Sequence, residues 1–501
     1  MLVKTFGSAV HGVEAFPITI EVNITTGTHY TLVGLADNVV KESLYRIEMA
    51  IGSIGLRMPR RRIVINLAPA DIRKTGAGFD LPIAVAILAA SGQIERPEQL
   101  ADYLLMGELA LDGSILPVKG TLPMAIRARE DDFVGMIVSK QNECEAGMVS
   151  KLKVYGVTNL REVVQFFNQS AAVIEPVCVY TREEFYKNQQ GIGLDFADVK
   201  GQEAAKRAMQ VAAAGGHNIL MVGPPGAGKT MLAKRLPGIL PPLSITEALE
   251  TTRIYSVSDS PYIQHGLMTQ RPFRSPHHTI SNVALVGGGS IPQPGEISLA
   301  HNGVLFLDEL GEFRRSVLDV MRQPLEDRKI QIGRARMSLT FPANFMLVAA
   351  MNPYTGPSRY KDKFMNKVSG PLLDRIDIQL SVDQISFFEM ERADKGMCSE
   401  ELRKGVVSAR NRQKDRFASC PGVFTNAQMS SSLVREICTL DDSGRRLLYT
   451  HMQKYQLSSR AHDRILKVAR TIADIAGSEK IELAHVAEAI YYRCLDMQAS
   501  D

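Results

Sequence analysis

NILMVGPPGAGKTMLAKRL, residues 218–236, reads as a strand, a loop and a helix in immediate succession. Ile219–Val222 is an apolar run of strand length, and MLAKRL suits a helix. Between them Gly223–Thr230 spells G-x-x-x-x-G-K-T. Glycines there let backbone N–H groups face phosphate oxygens, Lys229 reaches β- and γ-phosphates, and the Thr230 hydroxyl sits on Mg²⁺. The residues expected around a bound nucleotide are therefore Gly223, Pro224, Pro225, Gly226, Ala227, Gly228, Lys229, Thr230 and Met231, with ATP and Mg²⁺ as cofactors.

Working outward, the same architecture continues. GVLFLDEL (303–310) is a second buried strand that ends in two acids. Open α/β sheets place ligands at the carboxyl ends of their strands. Asp308 there would support Mg²⁺ and Glu309 would orient an attacking water. NFMLVAAMNP (344–353) delivers Asn352 to another strand end, either as a polar sensor of the γ-phosphate or as a plain Asn-Pro turn. In PLLDRIDIQL (371–380), Arg375 is either an exposed helix-end charge or an arginine acting in trans on a neighbour's nucleotide. Between the acids and Asn352 lies KIQIGRARMSLTFPANF (329–345), which alternates like a two-stranded ribbon with Arg334 and Arg336 at its turn.

Bulk properties set limits. The chain has 501 residues, 45% hydrophobic and 22% charged, with a net charge of +4. That is globular material of about three domains, and any basic surface must be local. The cysteines at 144, 178, 398, 420, 438 and 494 form no C-x-x-C pair, which indicates neither a zinc site nor a disulfide framework and suits a reducing cytoplasm. No signal peptide and no apolar run of membrane-spanning length is legible.

The chain divides into residues 1–167, a linker over 168–193, a parallel-sheet core over 194–385 and a helical portion over 386–501. The first part mixes strands (ITIEVNIT, HYTLVGL, RRIVINLAPA, GMIVSK, KLKVYGV) with helices (VVKESLYRIEMAIGSIG, DLPIAVAILAASG, LPMAIRARE), an α+β pattern. The core alternates short apolar strands with helices, an α/β pattern. In the last part, LSSRAHDRILKVARTIADIAGS carries apolar residues at helical spacing and ends in Gly477 as a C-cap.

In this order of parts the chain resembles the AAA+ ATPases. GPPGAGKT, RSPHHTISNVALVGGG, VLFLDE, the hairpin, AAMNP and LLDRID are similar to the magnesium-chelatase-like branch, and the whole chain resembles the bacterial ComM/YifB family. That resemblance implies a homo-oligomeric, hexameric ring ATPase acting on single-stranded and branched DNA, a translocase or helicase promoting branch migration in homologous recombination during natural transformation, with recombination proteins as possible partners. It places a trans-acting finger at Arg375 and a lid sensor at Arg460, with Arg464 as an alternative. It puts Val199 and Gln202 along the adenine pocket and the 386–501 helices in the role of a lid. Arg334 takes the place of a channel cation, flanked by Lys329, Arg328 and Arg336. The chain reads NPYTGPSRY where many relatives carry cysteines, so a zinc cluster there is not expected.

GELALDGSILPVKGTLPMAIRARE (107–130) and RKTGAGFDLPIAVAILAASG (73–92) resemble the proteolytic domain of Lon, which implies an S5-type fold. The serine position falls on Gly78 and the lysine position on Leu122, so a serine–lysine peptidase is not expected. Two other classes stay in view: a chelatase-like motor that remodels a partner protein, and an ATP-dependent protease.

Overall fold

The structure, a computed structural model, describes residues 2–169, 174–177, 185, 187, 193–258, 266–289, 292–334, 337–353, 370–384 and 396–493. The chain forms two compact units. One comprises Met1–Lys187 with Ala248–Met268, the other Asn188–Glu247 with Thr269–Asp501.

The first unit is built on a mixed sheet of β1 (Leu2–His11), β2 (Glu14–Thr25), β3 (Tyr30–Val33), β4 (Arg62–Ala68), β5 (Tyr103–Leu105), β6 (Gly135–Ser139) and β7 (Lys153–Val157), ordered β3-β4-β2-β1-β5-β6-β7. Its helices include α1 (Asn38–Ser53), α2 (Asp80–Ala90) and α3 (Thr121–Glu130). Alternation places the side chains: Ile18, Ile20 and Val22 on β2, and Ile63, Ile65 and Leu67 on β4, are all fully buried. Helix α2 is apolar all round, and every side chain from Leu81 to Ala89 is buried. The strand β1 is one that the apolar runs did not announce; it pairs with β2 from Leu2↔Asn23 to His11↔Glu14. The segment Ala248–Met268 is also unannounced in this unit, and Ser256 within it donates to the buried carboxylate of Glu145.

The second unit holds an all-parallel sheet. In chain order its strands are β8 (Ile219–Val222), β9 (Phe273–Arg274), β10 (Val304–Leu307), β13 (Met346–Met351) and β14 (Ile378–Ser381), and in space they run β9-β10-β13-β8-β14. An antiparallel ribbon, β11 (Lys329–Arg334) with β12 (Met337–Pro342), stands on the connection from β10 to β13. Both faces of the sheet are covered, as parallel sheets require. Ile219, Met221, Val304, Phe306, Val348 and Ala350 feed one apolar cluster. Their sequence neighbours Leu220, Leu305, Leu307, Leu347 and Ala349 feed the other.

The first of those clusters also takes in α4 (Glu203–Gly215), α5 (Lys229–Ile239), and, beyond the sheet, α6 (Ser399–Arg416), α7 (Ser459–Ala476) and α8 (Leu483–Tyr491). Ser458 caps α7 at its start, and Gly477, at φ +83°, ends it. A buried polar chain joins sheet to helix. The His217 ring lies 3.0 Å from Asp377 Oδ2 through Nδ1 and 2.8 Å from Thr471 Oγ1 through Nε2. No helix among the described residues is long and apolar enough to cross a membrane.

Candidate nucleotide site

Three neighbouring strands, β10, β13 and β8, end on the same edge of the parallel sheet, and each carries one part of the site. After β8 the chain turns through Gly223–Gly228 into α5. Gly226 and Gly228 lie at φ +80° and +85°, a left-handed backbone that glycine adopts without strain. Gly223 has a different constraint: a Cβ there would stand 2.0 Å from the Val382 carbonyl oxygen. The loop therefore lies flat against the chain that leaves β14.

Lys229 points back over the loop. Its Nζ donates to the Gly223 carbonyl at 2.5 Å, the Pro224 carbonyl at 2.8 Å and Asn352 Oδ1 at 3.1 Å. Burial lowers its amine pKa, and the charge of Asp308 opposes that shift. Asn352, at the end of β13, is thus brought into the same site as the loop lysine. Thr230 donates through Oγ1 to Asp308 Oδ2 at 2.8 Å, so the first turn of α5 meets the tip of β10. A threonine hydroxyl touching a carboxylate is a hard oxygen set suited to Mg²⁺ completed by waters and phosphate oxygens. Glu309 follows at φ +52°. This backbone turn directs its carboxylate to His278, whose Nδ1 lies 3.5 Å from Oε2.

Of the residues expected along the base pocket, Gln202 reaches the loop. Gln202 donates from Nε2 to the Asp383 carbonyl at 2.6 Å and lies 3.4 Å from the Ala227 carbonyl. Val199 and Ala227 are buried, and Met231 is exposed. Gln384 donates to the Pro225 carbonyl at 3.0 Å, a contact with no signal in the sequence. His278 is the other residue that sequence reasoning passed over, although the RSPHH stretch containing it stood out.

Comparison with known proteins places this geometry. Residues 195–390 match the family model of magnesium chelatase, subunit ChlI, residues 20–142 match that of subunit ChlI of Mg-chelatase, and residues 396–493 match the ChlI C-terminal model. The chain is 43% identical to the competence protein ComM of Haemophilus influenzae over 507 residues, 99% of this chain and 98% of that protein. It is 43% identical to YifB of Salmonella typhimurium over 97% of this chain and 96% of that one. The chain belongs to the ComM/YifB family of magnesium-chelatase-like proteins. A shorter likeness, 31% over 157 residues, links 28% of the chain to 27% of Lon protease 2 of Bacillus subtilis. The mixed α/β architecture with its parallel sheet fits an AAA+ ATPase-like fold.

Within that family frame, the cations expected around the site take up distinct places. Arg375, just past the helical turn Gly370–Leu373, pairs with Glu326 of its own chain, and its Nε is buried without a hydrogen-bond partner. Arg460 at the start of α7 is exposed and stands 3.6 Å from Asp374. Arg464, one turn on, is largely buried and 3.5 Å from Asp377. On the ribbon, Lys329 is exposed, whereas Arg328 at its base is half-buried at φ +53° and burial lowers its pKa. The backbone of Arg334 pairs with Met337 at the ribbon's end. The Arg334 side chain and all of Arg336 lie outside the described residues, as do most of 168–193 and the stretch 354–369.

In the first unit Gly78 and Leu122, expected at the nucleophile and base positions, are both buried. Ser114 donates to Asp112, and Lys74 donates to the Pro69 carbonyl. Nucleophilic catalysis by a serine and a lysine requires the two within hydrogen-bond reach, and these residues are engaged elsewhere.

Proposed function

We propose that this chain is an ATP-driven ring motor acting on single-stranded and branched DNA, promoting branch migration in homologous recombination during natural transformation. The observation that carries this reading is the place of the β11–β12 ribbon. It lies on the connection between the strand bearing Asp308 and Glu309 and the strand bearing Asn352, after a short turn and two short helices, Arg315–Asp319 and Arg322–Asp327. The hydrolysis acids and the ribbon are thus parts of one inter-strand connection. A relative at 43% identity bearing the name of a competence protein agrees with it.

In this reading Lys229 holds the β- and γ-phosphates, and Thr230 and Asp308 hold Mg²⁺. Bound Mg-ATP supplies the phosphoanhydride and the metal charge that offsets its oxygens. Glu309 orients the water and takes its proton, and Asn352 reports the γ-phosphate. Gln202 and Val199 stand beside the base. Arg375 leaves Glu326 to reach a neighbour's nucleotide in a hexameric ring, and Arg460 serves from the helical lid. Arg334 and Arg336, with Lys329 and Arg328 behind them, grip the phosphate backbone, a contact insensitive to sequence and sensitive to salt. The protein works in the cytoplasm alongside recombination proteins.

The family models, all of a magnesium chelatase subunit, favour one other reading, a motor that remodels a protein partner. ATPase rates with no DNA, single-stranded DNA, duplex and a four-way junction separate the two. The DNA motor predicts stimulation, greatest on branched or single-stranded DNA. Equal rates in all four would leave the remodelling reading.

A further inference from the structure

In the first unit, Arg57 to Arg62 read RMPRRR and put four arginines in six residues. The stretch lies between the end of α1 and the start of β4, and all four arginines are exposed. Main-chain bonds fix it at both ends. Arg57 donates its N–H to Gln93 Oε1 at 3.0 Å, and Gln93 Nε2 donates to the Arg57 carbonyl at 2.9 Å. Arg62 stands opposite Thr25 in the β2–β4 ladder. Between them the Arg61 N–H closes a turn onto the Pro59 carbonyl at 2.9 Å. The backbone is therefore held while the charges are left over. Among the described residues, the ion pairs of this unit use Lys4, Arg46, Arg127 and Lys140 instead.

The surroundings do little to neutralise that charge. Along β2 and β4 the first acid on the face of Arg62 is Glu21, opposite Asn66 and about 13 Å along the strand. Its carboxylate is already held by Lys4 and Asn66. A fifth arginine, Arg161, is exposed and donates to the Ile54 carbonyl at 3.4 Å, just past the end of α1. On the other side the exposed turn from β2 to β3 lies on the stem of Arg62: a Cβ at Gly27, φ +133°, would stand 3.0 Å from Arg62 Cβ. That turn ends in two exposed rings, His29 and Tyr30. Glu48 of α1, whose charge reaches Tyr30, borders the patch there.

We propose that this arginine patch is a second nucleic-acid contact, which takes the phosphate backbone of single-stranded DNA on the first unit. Guanidinium groups match phosphate oxygens with forked donors and stay charged at any working pH. On a fixed main chain they form a preset row of cations. The exposed rings beside them offer faces on which unpaired bases stack, and a duplex has no such bases to give. The contact reads backbone and not sequence. A motor that separates strands leaves one strand displaced, and the patch gives that strand a place to lie. The inference rests on the DNA reading for its choice of polymer, and on neither the ribbon nor hydrolysis.

The test uses the full-length protein with Arg60→Gln/Arg61→Gln and Arg60→Lys/Arg61→Lys. Fluorescence anisotropy of labelled oligo-dT, and of a duplex of the same length, gives affinity across a salt series without nucleotide, with urea unfolding in parallel. The glutamine variant is expected to bind oligo-dT about tenfold more weakly. Its slope of log affinity against log salt is expected to flatten by about 1.4, for two lost contacts at about 0.7 each on a single strand. The duplex should change less, and the lysine variant should recover both affinity and slope. If the glutamine variant unfolds at lower urea than the parent, Arg57→Gln and Arg62→Gln carry the same test singly, each flattening the slope by about 0.7. Parental affinity and slope in the glutamine variant, a lysine variant as weak as the glutamine one, or a loss confined to duplex overturns the proposal. So does parental DNA binding combined with lost binding to phosphatidylserine vesicles, which would assign the patch to a membrane surface. Each of these leaves the motor reading standing. Oligo-dT bound through Arg60 and Arg61 without stimulation of the ATPase would remove the motor reading and keep this contact.

Discussion

Gly223→Ala is a one-methyl change at the point where the phosphate loop touches the sheet, and the structure sizes its effect. The added Cβ would lie 2.0 Å from the Val382 carbonyl oxygen, where real Cβ atoms do not come within 3.0 Å. Loop and strand must therefore part by at least about 1 Å. Val382 cannot easily yield, because its N–H donates to Val222 at 2.8 Å and continues the β8–β14 ladder. The loop has to move instead, together with the Gly223 N–H bond to Met351 at 3.1 Å. Overpacking of this kind costs about 1–3 kcal/mol. Taken at about 2 kcal/mol and expressed at the loop, that is a roughly 30-fold weaker Kd for ATP. Titration of a fluorescent ATP analogue measures it, with urea unfolding in parallel. Gly238→Ala serves as the control: it lies in α5 with only the Leu194 oxygen at 3.8 Å, and should bind ATP like the parent. Gly223→Ala binding within threefold of the parent, at unchanged stability, would refute the argument that this glycine sets the loop's position.

Glu309→Gln should bind ATP and retain it, with turnover reduced at least about a hundredfold; hydrolysis at the parental rate would remove Glu309 from its role. Lys229→Ala should abolish ATP binding while leaving the unfolding curve close to the parent's, since its three partners are loop and strand-end oxygens and not core groups; this is read by the same titration. Arg375→Ala should keep binding and lose turnover, and mixing it with Lys229→Ala subunits should restore part of the activity, because a mixed interface joins one intact site to one intact finger; co-assembled subunits with no rescue would count against a trans role. His217→Ala should cost roughly 2 kcal/mol in urea unfolding, because it leaves Asp377 and Thr471 without their buried partner. Burial opposes the charge of Asp377, yet the His217 hydrogen bond and nearby cations hold its pKa below the ordinary carboxylate value. Its share of stability is therefore present above about pH 4 and lost as pH falls through the depressed folded value, a slope that His217→Ala should weaken.

The loop and its strand were legible because phosphate chemistry dictates residue types at fixed spacing, and Gly223–Thr230 satisfies it locally. The acid-tipped strand and the Asn352 strand were legible for the same reason: four to six apolar residues buried on both faces, then polar residues at the carboxyl end. The ribbon could be read from its alternation, which β11 and β12 display in register from Lys329↔Pro342 to Arg334↔Met337. The strand β1 was hidden because Lys4, Thr5, Gly7 and Ser8 interrupt its apolar residues; its strand state is set by pairing with β2, a tertiary choice. The membership of Ala248–Met268 in the first unit has no local signature either, since a helix pattern does not say what it packs against. His278 and Gln384 reach the site through loops, and a histidine or glutamine in a loop carries no periodicity that marks it as a contact of Glu309 or Pro225.

The central claim, that hydrolysis at this site drives movement on DNA through the ribbon, is tested most directly by one comparison. DNA-stimulated ATPase is measured for the parent and for the Arg334→Ala/Arg336→Ala double variant across a salt series, with branch migration of a four-way junction followed in the same reactions. The expected result is a double variant with parental basal ATPase, little stimulation by DNA and no junction movement. Its slope of log affinity against log salt should be flatter by about one unit for each lost phosphate contact. Parental stimulation and junction movement in the double variant would contradict the claim and leave the ribbon as scaffold.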